Sequence, residues 1–200
     1  MEVEELRGRI PNEIIDSLYS RGIKTLTPPQ ESAINNGLLS GHNMLVASPT
    51  ASGKTLIAEI AAVNTILRTG MKAVYIAPMR ALATEKYEEF RESYPYIKAA
   101  LSIGDLDSND PWLAEYEMIF FSTEKFDSLI RHGINWLSSI GCIIFDEVHM
   151  LGDASRGPTL EILITKLHET TRAQIIALSA TIGNPDELAQ WLRAKLVTSD

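Results

Sequence analysis

Cysteine, long apolar runs and blocks of like charge are scarce or missing in this 200-residue sequence, and each absence closes off a class of protein. The single cysteine, Cys142, cannot form an internal disulfide. Its place inside an apolar stretch points to a packed, reduced thiol with no chemical role. The longest apolar runs, such as Ile140 to Phe145 and Ile175 to Leu178, fall well short of the ~20 residues that span a bilayer, so no transmembrane helix and no membrane partner are expected. Met1 to Arg9 is charged and alternating and lacks the apolar stretch of a secretory signal, which leaves a cytoplasmic location as the expectation. Like-charge runs, internal repeats and low-complexity tracts are also missing, which excludes charged tails and solenoids. Basic residues are in the minority, 18 Lys and Arg against 26 Asp and Glu for a net charge of −8, which argues against a domain with a broad basic face.

What the sequence does contain is the balance of an ordinary globular chain, 45% apolar and 22% charged, long enough for one well-filled core. The opening reads as a short helix, with Asn12 as N-cap after Pro11, Ile14, Ile15 and Leu18 on one face, and Gly22 as terminator. Pro28 and Pro29 stop the chain and start a second helix, Gln30 to Leu39, closed by Gly41. Beyond it, apolar runs of strand length recur at Met44 to Ala47, Ala73 to Ala77, Ala99 to Ile103, Met118 to Phe121, Cys142 to Phe145 and Ile175 to Leu178. Helix-period stretches separate most of them. Gly157-Pro158 opens one such helix, and Asn184, Pro185 and Glu187 open another with an Asn cap, a first-turn proline and a capping-box acid. The runs are nearly continuously apolar, as in strands buried on both faces of a parallel sheet, so an α/β fold with helices on both sides of a mostly parallel, twisted sheet is expected. Residues 1–26 form a helical lead-in and 27–200 the main domain. In such sheets ligands bind beyond the carboxyl ends of the strands.

Two motifs fall there. After Met44 to Ala47 comes Ser48-Pro49-Thr50-Ala51-Ser52-Gly53-Lys54-Thr55, followed by the helix-period stretch Leu56 to Leu67. This is the order strand, phosphate loop, helix, although Ser48 stands where the first glycine is usual. Loop N–H groups and the helix N-terminus would cradle phosphates, Lys54 would reach the β and γ phosphates of ATP, and Thr55 would hold Mg²⁺. The strand Cys142 to Phe145 ends in Asp146-Glu147-Val148-His149, two carboxylates at the tip of a buried strand. Asp146 would bind Mg²⁺ and Glu147 would orient and deprotonate the water attacking the γ-phosphate. A chance Gly-Lys-Thr and a plain strand-end turn are the ordinary alternatives for each motif alone. A third element, Ser179-Ala180-Thr181, would pass for a turn if it stood by itself.

With Thr27 to Gln30 upstream, and with Ala77 to Leu82, Ser102 to Asp105 and Ser122 to Lys125 between them, these elements resemble the superfamily 2 helicases, specifically their Ski2-like branch. Gly152 to Glu161 and Leu178 to Pro185 look most like the archaeal DNA repair helicases of stalled replication forks. The resemblance covers nearly the whole chain and implies a RecA-like P-loop NTPase fold, the first motor domain of such an enzyme, with ATP and Mg²⁺ as cofactors. It implies that Gln30 reads the adenine edge and that His149, Ser179, Ala180 and Thr181 couple the nucleotide site to the nucleic-acid surface. For stacking on adenine, Tyr19 is the one aromatic candidate before Gln30. It further implies a nucleic-acid track along the loops after strands, at Pro78, Arg80, Gly104, Asp105, Thr123 and Lys125. Of these only Arg80 and Lys125 are cationic, so contacts would rest on backbone N–H groups and hydroxyls, which reconciles the track with an acidic chain. Weak, sequence-independent binding to single-stranded or forked DNA is expected.

Nothing in the chain resembles a second motor domain, which is the other expected partner, and a monomeric fragment is the expectation. In the family that domain supplies the arginine finger on the γ-phosphate, worth ~10³ to 10⁵ in rate, so hydrolysis by this chain alone should be slow. Arg156, near the acidic motif, reads better as a loop residue entering a helix than as a finger in cis. Three readings are carried forward: the ATPase half of a DNA helicase, a Ski2-like RNA helicase domain, and a non-catalytic nucleotide-gated interaction module. An intact Glu147 argues against the third.

Overall fold

Parallel strands are joined by crossovers that return over the sheet, so both faces of the central strands end up covered. The computed structural model describes residues 1–49, 52–104 and 106–198. Among them, β1 (Met44–Ala47), β2 (Lys72–Ala77), β3 (Ala99–Ser102), β4 (Met118–Ser122), β5 (Ile140–Phe145), β6 (Gln174–Ser179) and β7 (Lys195–Thr198) form one sheet in the order β3-β4-β2-β5-β6-β1-β7. Every pairing is parallel. The helices are α1 (Asn12–Ser20), α2 (Pro28–Asn35), α3 (Lys54–Thr69), α4 (Arg80–Ser93), α5 (Thr123–His132), α6 (Gly157–Thr170) and α7 (Pro185–Trp191). None is long and apolar enough to cross a membrane.

Alternate strand residues feed two cores. Val46, Tyr75, Phe120, Ile144 and Ile176 pack under α1 to α4. Leu45, Val74, Phe121, Ile143 and Ile175 pack under α5 to α7. Each fully buried Val, Leu or Ile contributes ~1.5–3 kcal/mol, and the two-residue period of a strand ties that gain to register. The same register fixes where the residues just past each strand point.

The six expected strands form with ends within two residues of those read from the sequence. The four-residue β7 is additional: its alternation of exposed Lys195 and Thr198 around buried Val197 is too short to register as a run. Helix starts differ in detail. Pro11 takes the cap position of α1, which makes Asn12 the first helical residue. Helix α2 starts two residues earlier than expected, at Pro28, because Thr27 and Gln30 form a capping box, and it stops at Asn35. Gly37, at φ 93°, then turns the chain into a 3₁₀ turn at Leu38–Ser40. At α7 the expected capping box is not made: the Asn184 side chain accepts no backbone N–H and its Nδ2 donates to the Glu187 carboxylate at 3.1 Å.

The lead-in shares the core of the main domain, with Val3, Leu6, Ile10, Ile14, Ile15 and Leu18 all buried in the α1 to α4 layer. Arg21 reaches Glu59 of α3 at 2.7 Å, and Tyr94 at the end of α4 donates to the same carboxylate oxygen at 3.1 Å. Cys142 is a buried free thiol, and burial pushes its pKa up to about 12.

Gly157 opens α6 against the turn that follows the acidic motif. A Cβ there would sit 2.2 Å from the Leu151 carbonyl oxygen, a backbone atom that cannot swing aside. Gly157→Ala is expected to destabilise the chain on the order of 2 kcal/mol, seen as a drop of several degrees in the thermal midpoint. An unchanged melt would show that the turn yields freely.

Candidate nucleotide site

At the end of β1, Ser48 is fully buried, and its amide donates to the Ser179 carbonyl at the tip of β6, 3.2 Å away. Its hydroxyl lies 2.5 Å from that of Ser52, so the serine in place of a glycine ties the base of the loop to its far limb. Pro49 is exposed; Thr50 and Ala51 lie outside the described residues. Gly53 takes a left-handed conformation, φ 80°, as the cap of α3, and a Cβ there would meet the Gln30 amide nitrogen at 2.4 Å. Gln30 is itself buried. Its Nε2 donates to the Gly53 carbonyl at 3.0 Å and its Oε1 accepts from the Thr27 amide at 2.9 Å, which seats it against the phosphate loop. The buried Lys54 folds back so that Nζ donates to the Ser48 carbonyl at 3.2 Å. The positive dipole end of the 16-residue α3, which carries no side-chain cap, lies at the same loop and favours an anion there. Tyr19, the candidate base-stacking ring, instead places its hydroxyl on Glu4 at 3.0 Å.

Asp146 follows β5 and is only 5% exposed. Burial, the largest influence, raises its pKa; the Tyr75 hydrogen bond opposes this and nearby Glu147 adds to it. Tyr75 donates to Oδ2 at 2.5 Å and the Glu147 amide donates to Oδ1 at 2.8 Å. Glu147 itself adopts φ 52°, a left-handed conformation costing ~1–3 kcal/mol in a residue with a Cβ. The bend sends the chain into the 3₁₀ turn Val148–Gly152 and brings His149 over the tip of β6. There Nδ1 of His149 lies 3.3 Å from the Ala180 amide and 3.2 Å from the Glu147 carboxylate. One nitrogen cannot serve both: unprotonated it accepts from Ala180, protonated it pairs with Glu147. The acidic motif and the segment after β6 therefore meet at a single atom. Ser179 is buried with its hydroxyl on the Ala180 carbonyl at 2.8 Å, and Thr181 is exposed.

The candidate nucleic-acid residues are not alike. Arg80, the first residue of α4, and Gly104 are exposed, Pro78 is buried, and Asp105 lies outside the described residues. Thr123 is buried with its hydroxyl on the Ala77 carbonyl at 3.3 Å. Lys125, expected as an outward cation, has no exposed surface. Three residues after the Ser122 cap it points inward, where its ammonium meets Asp110 at 3.0 Å and the carbonyl and hydroxyl of Ser108 at 2.9 and 2.7 Å. Burial pushes the Asp110 pKa up, but hydrogen bonds from Ser102, Ser108 and Lys125 outweigh it and leave the carboxyl below its ordinary value. Lys125 is thus a clamp on the segment after β3, which a motif match alone could not distinguish from a phosphate contact. Tyr75 was missed, although a hydroxyl in a strand that is otherwise apolar was a usable sign, since a buried tyrosine hydroxyl needs a partner.

Residues 27–188 match the DEAD/DEAH box helicase family. An "ATP-dependent DNA helicase Hel308" of Pyrococcus horikoshii is 53% identical over 201 aligned residues, which take in this whole chain but 28% of the relative. A protein of the same name in Methanocaldococcus jannaschii is 48% identical over 94% of the chain and 16% of its own length. The chain thus spans under a third of these relatives. Among solved structures, the helicase MrfA bound to DNA superposes with a TM-score of 0.74 at 24% identity, over 95% of this chain and 30% of that one, a likeness that speaks to the fold.

The contrast between the two cations can be measured. Lys125→Met leaves Asp110 without its buried partner and is expected to lower stability by roughly 3 kcal/mol in urea unfolding, whereas Arg80→Ala should leave the transition in place. Equal, small effects would mean that Lys125 is not a structural clamp.

Proposed function

The chain belongs to the DEAD/DEAH box helicase family, and we propose that it is the ATP-binding motor domain of an ATP-dependent DNA helicase. The observation that carries this reading is the meeting of a phosphate loop and a buried acidic strand end at the carboxyl edge of one parallel sheet, bridged by the tip of β6 between them. The whole-chain likeness to relatives named as DNA helicases supports the choice of nucleic acid.

In this reading the loop formed by Ser48, Pro49, Thr50, Ala51, Ser52 and Gly53 surrounds the phosphates of ATP. Lys54 leaves the Ser48 carbonyl to reach the β and γ phosphates, and Gln30, beside Gly53, serves the adenine edge. Among the described residues no cluster of three or more His, Cys, Asp or Glu could cage a metal. The oxygen donors of Thr55 and Asp146 fit Mg²⁺, a hard ion that keeps several waters and arrives with phosphates. Bound there, Mg²⁺ would offset charge developing on the phosphate oxygens. Glu147 takes a proton from the water that attacks the γ-phosphorus as the bond to the β–γ bridging oxygen breaks. His149, Ser179, Ala180 and Thr181 relay the state of that site to the nucleic-acid surface through the shared Nδ1 contact. Arg80 and the exposed backbone at Gly104 serve phosphates of a single strand, while Thr123 and Lys125 support that surface from within. A following motor domain would supply the arginine finger.

The test is the Mg²⁺-dependent ATPase rate of this chain and of a chain extended past Asp200, each with and without single-stranded DNA. Turnover confined to the extended chain and stimulated by DNA is expected. A stronger response to RNA of equal length would move the reading to an RNA helicase, and tight ATP binding without turnover in the extended chain would leave only an interaction module. In the extended chain Lys54→Ala is expected to abolish nucleotide binding, and Glu147→Gln to keep binding while removing hydrolysis. Unchanged turnover in either variant removes the role given to that residue.

A further inference from the structure

Tyr75 pairs with Ile144 across the β2 and β5 ladder, and Asp146 lies two residues beyond Ile144 on the same face. That diagonal separation is within reach of an aromatic side chain but not of a short one. The ring is 2% exposed and stacks on Phe120 with centroids 5.2 Å apart and planes 26° from parallel, so it cannot swing away. Its hydroxyl ends 2.5 Å from Oδ2 of Asp146. The gap beside the ring, lined by Thr55, Glu59 and Lys86 among others, is about 10 Å³, at the lower limit for a single water.

We propose that Tyr75 is a positioning residue for Mg²⁺ binding: its hydroxyl, with the Glu147 amide, locks the Asp146 carboxylate in the rotamer that meets the ion. This rests on the reading of Asp146 as a Mg²⁺ ligand. The two donors hold one oxygen each, so the carboxylate plane is fixed at both ends and the lone pairs they leave are those available to the ion or its waters. Without the hydroxyl, Oδ2 loses its buried donor and the carboxylate can turn about its bond to Cβ. Among the described residues the Tyr75 hydroxyl hydrogen-bonds to Asp146 and to no residue of the phosphate loop, so metal-free nucleotide binding should not depend on it.

The experiment is fluorescence titration of a methylanthraniloyl-labelled ADP onto the chain in EDTA and across a range of Mg²⁺, with thermal melting alongside. Tyr75→Phe keeps the ring and its stack; it is expected to bind the nucleotide normally in EDTA and to need about 10-fold more Mg²⁺ for the metal-dependent gain. Phe120→Leu, which loosens the same core but spares the hydroxyl, should leave the Mg²⁺ requirement unchanged. Asp146→Asn separates the two levels. If it loses the Mg²⁺ dependence while Tyr75→Phe retains the original requirement, the positioning role is overturned and the ligand reading stands. If Asp146→Asn itself keeps the original requirement, both are overturned. Should Tyr75→Phe fail to fold, Asp146→Glu carries the carboxylate past the hydroxyl, and an unchanged Mg²⁺ requirement in that variant overturns the proposal.

Discussion

Asp146 is a carboxylate placed where a strand of apolar side chains ends, and it is nearly as buried as they are. Desolvation on that scale is tolerated only when each oxygen has a donor. One donor comes from β2, whose Tyr75 is the single polar side chain in reach across the ladder. The other comes from the chain itself, from the amide of Glu147, a residue that also turns left-handed. That turn directs the Val148–Gly152 segment over β6, which puts His149 on the Ala180 amide, and it leaves the Glu147 carboxylate partly in solvent. The residue whose amide satisfies one buried acid thus also sets the course of the chain that follows it, through a left-handed conformation that costs energy in a residue with a Cβ.

A second set of constraints holds the phosphate loop. The sheet order places β6 between β1 and β5, so the Ser179 carbonyl meets Ser48 on one side while the Ala180 amide meets His149 on the other. Behind the loop, Gln30 fills the space that the lack of a Cβ at Gly53 opens, and its helix is held in place by the same capping box that uses its other amide atom. The N-terminal segment reaches this layer through Arg21 and Glu59 on the loop's own helix. Burial raises the Glu59 pKa even with Arg21 and Tyr94 as partners. A shift of α3 would therefore be felt at the loop, in α2 and in the lead-in together.

The strands were legible because both-face burial writes itself as an unbroken apolar run, and the loop and acidic motifs because chemistry needs those residue types at strand ends. Helix boundaries were less legible where two signals compete. Thr27 and Pro28 already satisfy a helix start before Gln30, and the Asn184 side chain has a carboxylate three residues on as well as a backbone to choose from. β7 was hidden by its length and edge position, since a strand with one buried side chain in four residues has no period to detect. Tyr75 was missed, and Lys125 was expected on the nucleic-acid track, for a shared reason. Each is a polar side chain whose partner is set by tertiary packing, Asp146 from 71 residues away and Asp110 from a neighbouring loop.

The inward turn of Lys125 changes how an acidic chain of this kind can meet a polyanion. Two of its cations are buried, Lys54 against the Ser48 carbonyl and Lys125 against Asp110, while Arg21, Arg68 and Lys72 are held nearer the surface by Glu59, the Arg9 carbonyl and the carbonyls of Ala114 and Tyr116. Each buried cation is withdrawn from the set that could release counterions from nucleic acid. Of the cations on the expected track, Arg80 alone faces solvent. Under the proposed function, a strand lying there would be held by backbone groups on several loops more than by net charge, and a grip of that kind would respond to the position of each loop.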